Sequence, residues 1–421
     1  MFMNYKKIEE KEWNLHIINN DRFKSISVVV FLTKKFDKND IAYANLLTQN
    51  LTYTSKKYNT KNKMATIYED LYGAHIAGSF GTTGALESFT FSLDFLNPKY
   101  TDITYLKKSL SYFKELLFNP NIVNCEFENT YFNLLKNDLI SSIKAIKDDS
   151  RRYGSIEYAK LMYKGTPSAY SMYPTLKELE KVTPKTLYDF YKTLFNGSYK
   201  IDIVVHGEID FDIYKYIKDI FKNIKGNKNE KLSFNIKHKY DNKLNEKIDS
   251  LPFNQSRLYV GYRLNNLTHD ELEYTLRVYN TILGTMNDSI LFNIVREENS
   301  LCYTIGSYYS KYNPSLTIYA GINKKNYDKT VKLIKECVES MKDKKVVERL
   351  FDSAKKTINT YLNNYYDDLS MQVNEYWIKE FEDVDSIETI REKINKVTIE
   401  DVIKLNEKLS LSTIYLLKGD N

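Results

Sequence analysis

The chain has little of what most catalytic proteins carry. Only three of its 421 residues are cysteine, Cys125, Cys302 and Cys337, odd in number and far apart. That excludes a disulfide framework and a clustered thiolate metal site, and it suits a reducing compartment. The five histidines, His16, His75, His206, His238 and His269, stand singly. No two are spaced to share a helical turn, as a pair of imidazole ligands on one helix must be. His75 and His206 are expected at sheet edges, hydrogen-bonded or facing solvent. Glycine is sparse (14), no Gly-rich phosphate loop occurs, and no Ser or Cys sits where a nucleophile would be activated. The longest apolar run, VVVFL at Val28 to Leu32, is far short of the roughly 20 residues that span a bilayer. The N-terminus has no apolar segment behind its basic residues and does not read as a signal peptide. The 61 basic and 55 acidic residues leave a net charge of +6, and no basic run is interleaved with aromatics. Nucleic acid and membrane are therefore not expected as partners, and the expected location is cytoplasmic.

What the sequence does contain is a long-period internal repeat. SFTFSLDFLNPKYTDITYLKKSLSYFKEL from Ser88 parallels SLTIYAGINKKNYDKTVKLIKECVESM from Ser315. Each alternates like a strand, turns at Asn-Pro or Asn-Lys, then repeats apolar residues at helical spacing. KVTPKTLYDFYKTLFNGSYKIDIVVHGEID from Lys181 parallels KVTIEDVIKLNEKLSLSTIYLLKGDN from Lys396. Both begin with a Thr suited to cap a helix, and Pro184 falls in the first turn of the former. A third pair, SISVVVFLTKKFDKNDIAYANLLTQNL from Ser25 and SRLYVGYRLNNLTHDELEYTLRVYNTIL from Ser256, keeps the same order. Three collinear matches predict a duplicated domain. The Lys/Asn-rich stretch between them has little periodicity and reads as a linker. The predicted organisation is residues 1–220, a linker at 221–250, and residues 251–421. Each half is α+β, a sandwich of a mostly antiparallel sheet with helices packed on one face.

One stretch differs from the rest: LGTMNDSILFNIVREENSLCYTIGS, Leu283 to Ser307. Together with the duplication it resembles the zinc peptidase family of insulinase, pitrilysin and mitochondrial processing peptidase. The positions in register with that family's second-domain signature are Leu283, Gly284, Ser289, Leu291, Phe292, Arg296, Glu297, Leu301 and Tyr303; Ser300 stands where the family has glycine. The resemblance covers essentially the whole chain. It implies two homologous domains of the mitochondrial processing peptidase type, two such chains closing around a peptide chamber, and a substrate extended along an edge strand of the first domain.

The same resemblance places the catalytic zinc on the helix after the first strand, in an inverted His-x-x-Glu-His motif. Here that helix reads DIAYANLLTQNLTY, and the matching positions are Asn45, Thr48 and Gln49. No shift of register supplies a His or a Glu. For the family's downstream glutamate the nearest residues are Asp138 and Glu128, each otherwise a solvated helix residue. KDDSRR, Lys147 to Arg152, reads as a solvated helix end. The chain is expected to hold no metal and no cofactor, with zinc confined to a partner subunit.

Arg296 is predicted to end the helix SILFNIVREE and Tyr303 to begin the following strand, with a turn through Asn299 and Ser300 between them. Cys302 and Tyr303 then face opposite ways, leaving Cys302 as a buried thiol. In the family the equivalent Arg and Tyr face the zinc from the far chamber wall and bond the carbonyls of bound peptide. Five guanidinium donors and one phenol suit that role without any change of protonation. The plain alternative pairs Arg296 with Glu297 or Glu298 and leaves Tyr303 packing. The expectation is thus a non-metal subunit of a heterodimeric peptidase, gripping a peptide, a precursor or leader peptide among the candidates, for a zinc-bearing homologue; the other reading is a catalytically silent scaffold of the same fold.

Overall fold

The computed structural model describes residues 3–241 and 243–420. They divide into two compact units, each discontinuous in sequence. The first comprises Met1–Ala145, Ser171–Phe234 and Asp367–Val384, the second Ile146–Tyr170, Asn235–Tyr366 and Asp385–Asn421. Two segments therefore cross the linear division at 221–250. Within 221–250, Phe234 is buried and Asn245–Ser250 forms a strand.

The first unit is built on a six-stranded sheet. Its strands are β1 (Met3–Glu9), β2 (Asn14–Asn20), β3 (Ser25–Lys35), β4 (His75–Thr83) and β5 (Leu86–Leu96), with β8 (Lys200–Gly207) inserted to give the order β1-β2-β8-β3-β5-β4. The two-residue strands β6 (Ile122–Val123) and β7 (Glu126–Phe127) form a separate hairpin. Alternation along β3 sends Val28, Val30 and Leu32 into the core beneath α1 (Asp40–Tyr53) and α3 (Ile103–Phe118). The remaining helices of this unit are α2 (Lys61–Asp70), α4 (Asn129–Ala145), α6 (Leu176–Glu180), α7 (Pro184–Tyr191) and α8 (Ile213–Phe221), joined by one from much later in the chain, α12 (Leu369–Ile378).

The second unit holds β9 (Asn245–Ser250), β10 (Ser256–Leu264), β11 (Cys302–Ser310), β12 (Ser315–Ile322) and β13 (Leu409–Lys418), ordered β11-β12-β10-β13-β9. Read from the other end this is the order β2-β8-β3-β5-β4 of the first unit, with the parallel pair β2–β8 matched by β9–β13. Its helices are α9 (Leu276–Asn280), which has a π-helical turn on either side, α10 (Tyr327–Ser340), α11 (Lys344–Asn363), α13 (Ile387–Lys396), α14 (Ile399–Asn406) and, from the first half of the chain, α5 (Ser150–Met162). The paired Thr positions act alike. Thr183 caps α7 and Thr398 caps α14, each in a reciprocal capping box.

Helices cover both faces of each sheet, where the sequence pattern predicted one. The reason in the first unit is that its second face is polar yet buried: Asn14, His16, Asn20, Thr33, Asp202 and His206 all lie there without solvent. Such groups need partners, and α12 and the turn after it provide them. His206 Nε2 and Asn20 Nδ2 donate to Gln372 Oε1 at 2.8 and 3.0 Å, and Trp377 Nε1 donates to Thr33 Oγ1 at 3.2 Å while its ring stacks on Phe31. His206 thus sits in an interior strand, not at a sheet edge; His75 is on the edge strand β4 and exposed. In the second unit α5 does the same work, with Tyr158 bonded to Thr317 Oγ1 (2.8 Å) and Tyr163 to Ser315 Oγ (2.9 Å).

Candidate functional site

The stretch around Arg296 and Tyr303 forms a helix end, a tight turn and the start of an edge strand. Ile290, Leu291 and Val295 are fully buried and anchor the helix, whose last seven residues, Phe292–Glu298, are wound as a π-helix. That phase leaves Arg296 outward. Its guanidinium lies over the Phe292 ring, 4.5 Å from the centroid, and its Nε is 3.5 Å from Glu297 Oε1. The helix closes with Ser300 N bonded to Arg296 O (3.0 Å) and Leu301 N to Val295 O (3.1 Å). This closure puts Ser300 at φ +51°, the left-handed region that glycine tolerates and most side chains do not. Replacing Ser300 with Gly is expected to raise stability by about 0.5–1 kcal/mol, since relief of that strain outweighs glycine's extra unfolded-state entropy. Urea unfolding of the two proteins measures it, and a less stable Gly variant would contradict this account.

β11 then begins with an irregularity. Cys302 pairs with Ile322 and Thr304 with Gly321, so Tyr303 has no partner across the ladder. A bulge re-aims the side chain it carries, and Tyr303 is 76% exposed. Cys302 points the other way and is buried, and burial lifts its thiol to about 11 against the opposing charge of Arg296. Arg296 is therefore close enough to act on the first residue of β11. The plain alternative is partly present as well, because Arg296 does pair with Glu297. Among the signature positions, Leu283, Gly284, Ser289, Leu291 and Leu301 are buried and pack the unit. Arg296, Glu297 and Tyr303 are the exposed ones.

The residues of α1 do not fit zinc. Asn45 Nδ2 donates to Ile41 O and Met172 O, both at 2.8 Å, and the buried Thr48 hydroxyl donates to Ala44 O at 3.0 Å. Amide and hydroxyl groups already spent on backbone carbonyls are no substitute for imidazole and carboxylate ligands. Asp138 is exposed on α4, and Glu128 accepts the backbone amides of Thr130 and Tyr131 at the start of that helix. Among the described residues, the structure gathers one set of metal-type ligands that the sequence kept apart. His16, Asp202 and Glu380 bring their ligand atoms within 4.8 Å of one another. A cationic group already stands among them, however. Lys200 Nζ is 2.6 Å from Asp202 and 2.9 Å from Glu380, and Lys7 Nζ is 2.7 Å from Glu380. Lys200 sits between the two carboxylates at the buried end of this network, and Lys7, which also pairs with the exposed Glu9, closes it toward the surface.

Comparison with known proteins agrees with the resemblance in the sequence. The family described as Peptidase M16 inactive domain matches residues 181–358. A probable inactive metalloprotease, YmfF, of Bacillus subtilis (strain 168) is 27% identical over 433 residues, spanning 99% of this chain and 98% of that protein. A non-peptidase homolog, YmxG, of Helicobacter pylori is 21% identical and spans 91% of this chain and 86% of its own length. In fold, a conserved protein from Enterococcus faecalis V583 superposes with a TM-score of 0.92 at 23% identity, covering 99% of both chains. Among the described residues, no helix is long and apolar enough to cross a membrane. The shared topology of the two units, the signature around Arg296 and Tyr303, and these matches agree: the chain is similar to the M16 peptidase inactive domain over residues 181–358 and, along nearly its whole length, to relatives described as inactive.

Proposed function

We propose that the chain is the non-metal subunit of a two-chain M16 peptidase, binding and positioning a peptide that a zinc-bearing homologue cleaves. The observation that carries this reading is Tyr303, a large side chain held out to solvent by a bulge at the start of an edge strand. Packing gives no reason for it, since its neighbours Leu301 and Cys302 already fill the core. Arg296 ends the adjoining helix and keeps most of its donors unengaged by Glu297. Both suit the carbonyl oxygens of an extended peptide. The chain brings no cofactor to the reaction, and the metal belongs to the partner.

A second reading, a scaffold without a role in cleavage, draws on the Arg296–Glu297 pair and on the Phe292 ring beneath the guanidinium. Co-purification with a zinc-motif homologue separates the two. Addition of the chain is expected to raise cleavage of a quenched fluorescent peptide by that homologue. Arg296→Ala and Tyr303→Phe are each expected to lower kcat/KM by roughly tenfold, the worth of one charged or well-aligned hydrogen bond in a sheltered site. Light scattering should show the pair still assembled. Wild-type rates from both variants would favour the scaffold.

A further inference from the structure

The second unit contains a groove of about 590 Å³ on the face of its sheet that α5 covers only in part. Its floor includes Tyr308 of β11, Tyr319 of β12 and Arg257 of β10, and the first turn of α5 supplies Arg151 and Arg152 as a wall. Thr304, the residue after Tyr303, lines it too. The groove therefore runs beside the strand that carries the exposed tyrosine.

Its charge is hard to explain by folding alone. Arg151 and Arg152 occupy the positive end of a helix, where cations are disfavoured. Asp149 is the one carboxylate in the lining, and it caps α5 by accepting the amides of Arg151 (2.9 Å) and Arg152 (3.1 Å). Arg257 gives its Nε to Ser150 Oγ at 3.0 Å. A Cβ on Gly321 would come within 2.7 Å of Arg257 Nη1, so the glycine leaves the guanidinium its place. Neither Arg151 nor Arg257 forms an ion pair among the described residues. Partial burial, and then the like charge of Arg151, lower the pKa of Arg257 below the usual arginine value. Arg151 and Arg257 beside one concavity, whose one lining carboxylate, Asp149, is engaged in capping the helix, make an anion site. Guanidinium forks match carboxylates in particular, and Tyr308 and Tyr319 add apolar ring faces with hydroxyl tips.

We propose that this groove takes a carboxylate of the bound peptide, from its C-terminus or from an Asp or Glu side chain, on Arg151 and Arg257. The inference rests on the peptide-binding reading and makes it specific: the chain selects acidic or C-terminal segments.

The test uses the full chain alone, so that it does not depend on any partner. Three N-terminally labelled decapeptides are titrated by fluorescence anisotropy: one neutral and amidated, one with a free C-terminal carboxylate and no acidic side chain, and one amidated with a central Glu. At least one carboxylate peptide is expected to bind tenfold or more tightly than the neutral one, and which one it is identifies the source. Arg151→Ala and Arg257→Gln should each remove about tenfold of that preference, as the loss of a charge-assisted bond implies. Arg151 is exposed, so its variant tests the site even where Arg257→Gln disturbs the Ser150 bond. Equal binding of all three peptides, no binding of any, or unchanged preference in both variants overturns the proposal. Carboxylate-selective binding, together with wild-type cleavage by the zinc-bearing homologue when it is paired with the Arg296 and Tyr303 variants, would keep the groove and sink the peptidase-partner reading instead.

Discussion

Replacing Asp202 with Ala is expected to destabilise the first unit by about 3–5 kcal/mol, the range found when one partner of a buried ion network is removed. Asp202 is fully buried and accepts from Asn14 Nδ2 (2.8 Å) and from Lys200 Nζ, with His16 Nε2 3.8 Å away. Without it Lys200 keeps Glu380 alone, and one buried ammonium loses its nearest counter-charge. The result should be visible in two further ways. Amide exchange in α12 should quicken, because Glu380 follows that helix and belongs to the same network. Lys200→Met added to Asp202→Ala should restore part of the loss, since it removes the charge left unpaired. The acid side has a definite sign. Burial opposes ionisation of Asp202, but His16, Lys200 and Asn14 outweigh it, and its pKa falls below the ordinary 3.8. Its contribution is therefore complete above that value and fades as pH falls through the native pKa. The stability gap between wild type and Asp202→Ala should accordingly narrow in strong acid. A loss under about 1 kcal/mol at neutral pH, or a gap that widens on acidification, would show that the network does little for the fold.

The same cluster shows where sequence reading stops. The duplication was legible because strand and helix periods are local, and three segments repeated them in order. The missing zinc ligands were legible because they are a matter of residue type on a single helix. Asn14 and His16 on one side, Asp202 and Glu380 on the others, are separated by well over a hundred residues each, and nothing in their neighbourhoods says that α12 packs on the first unit's sheet to meet them. The segments that became α5 and α12 look like any amphipathic helix; what assigns them is the pattern of hydrogen-bonding groups on a sheet face remote in sequence. At the candidate site, the turn between Arg296 and Tyr303 could be placed from Asn299 and Ser300. The π-helical winding and the bulge at Tyr303 could not, because each depends on one extra residue that tertiary packing accommodates. KDDSRR was visible as a charge run, but nothing in the sequence signalled that Arg257, on a strand far later in the chain, would line the same groove.

Gly284→Ala is expected to destabilise the second unit by about 2–3 kcal/mol and Gly284→Val by more, the cost of forcing extra atoms into a packed core. Gly284 closes the π-helical turn Thr281–Thr285, directly under β11. A Cβ there would lie 2.5 Å from Ser307 Oγ, 2.8 Å from Leu291 Cδ1 and 2.9 Å from the backbone N of Ser307. The hydroxyl turns aside only by breaking its 2.7 Å bond to Asn280 Oδ1, and the backbone nitrogen yields only if the strand moves. Leu291 anchors the helix that ends at Arg296, so the same added methyl presses on both arms of the site. Partner-dependent cleavage should therefore fall with stability in Gly284→Ala, although residue 284 faces the core and touches no peptide. Gly81→Ala, on the edge strand of the first unit where a Cβ meets nothing within 4 Å, should stay within about 0.5 kcal/mol of wild type. Equal denaturation midpoints for Gly81→Ala and Gly284→Ala would mean that β11 floats free of the helix beneath it. The signature would then be reduced to its exposed residues. A separation of several degrees would make its buried glycine and leucines the frame that holds Arg296 and Tyr303 at one edge of the sheet.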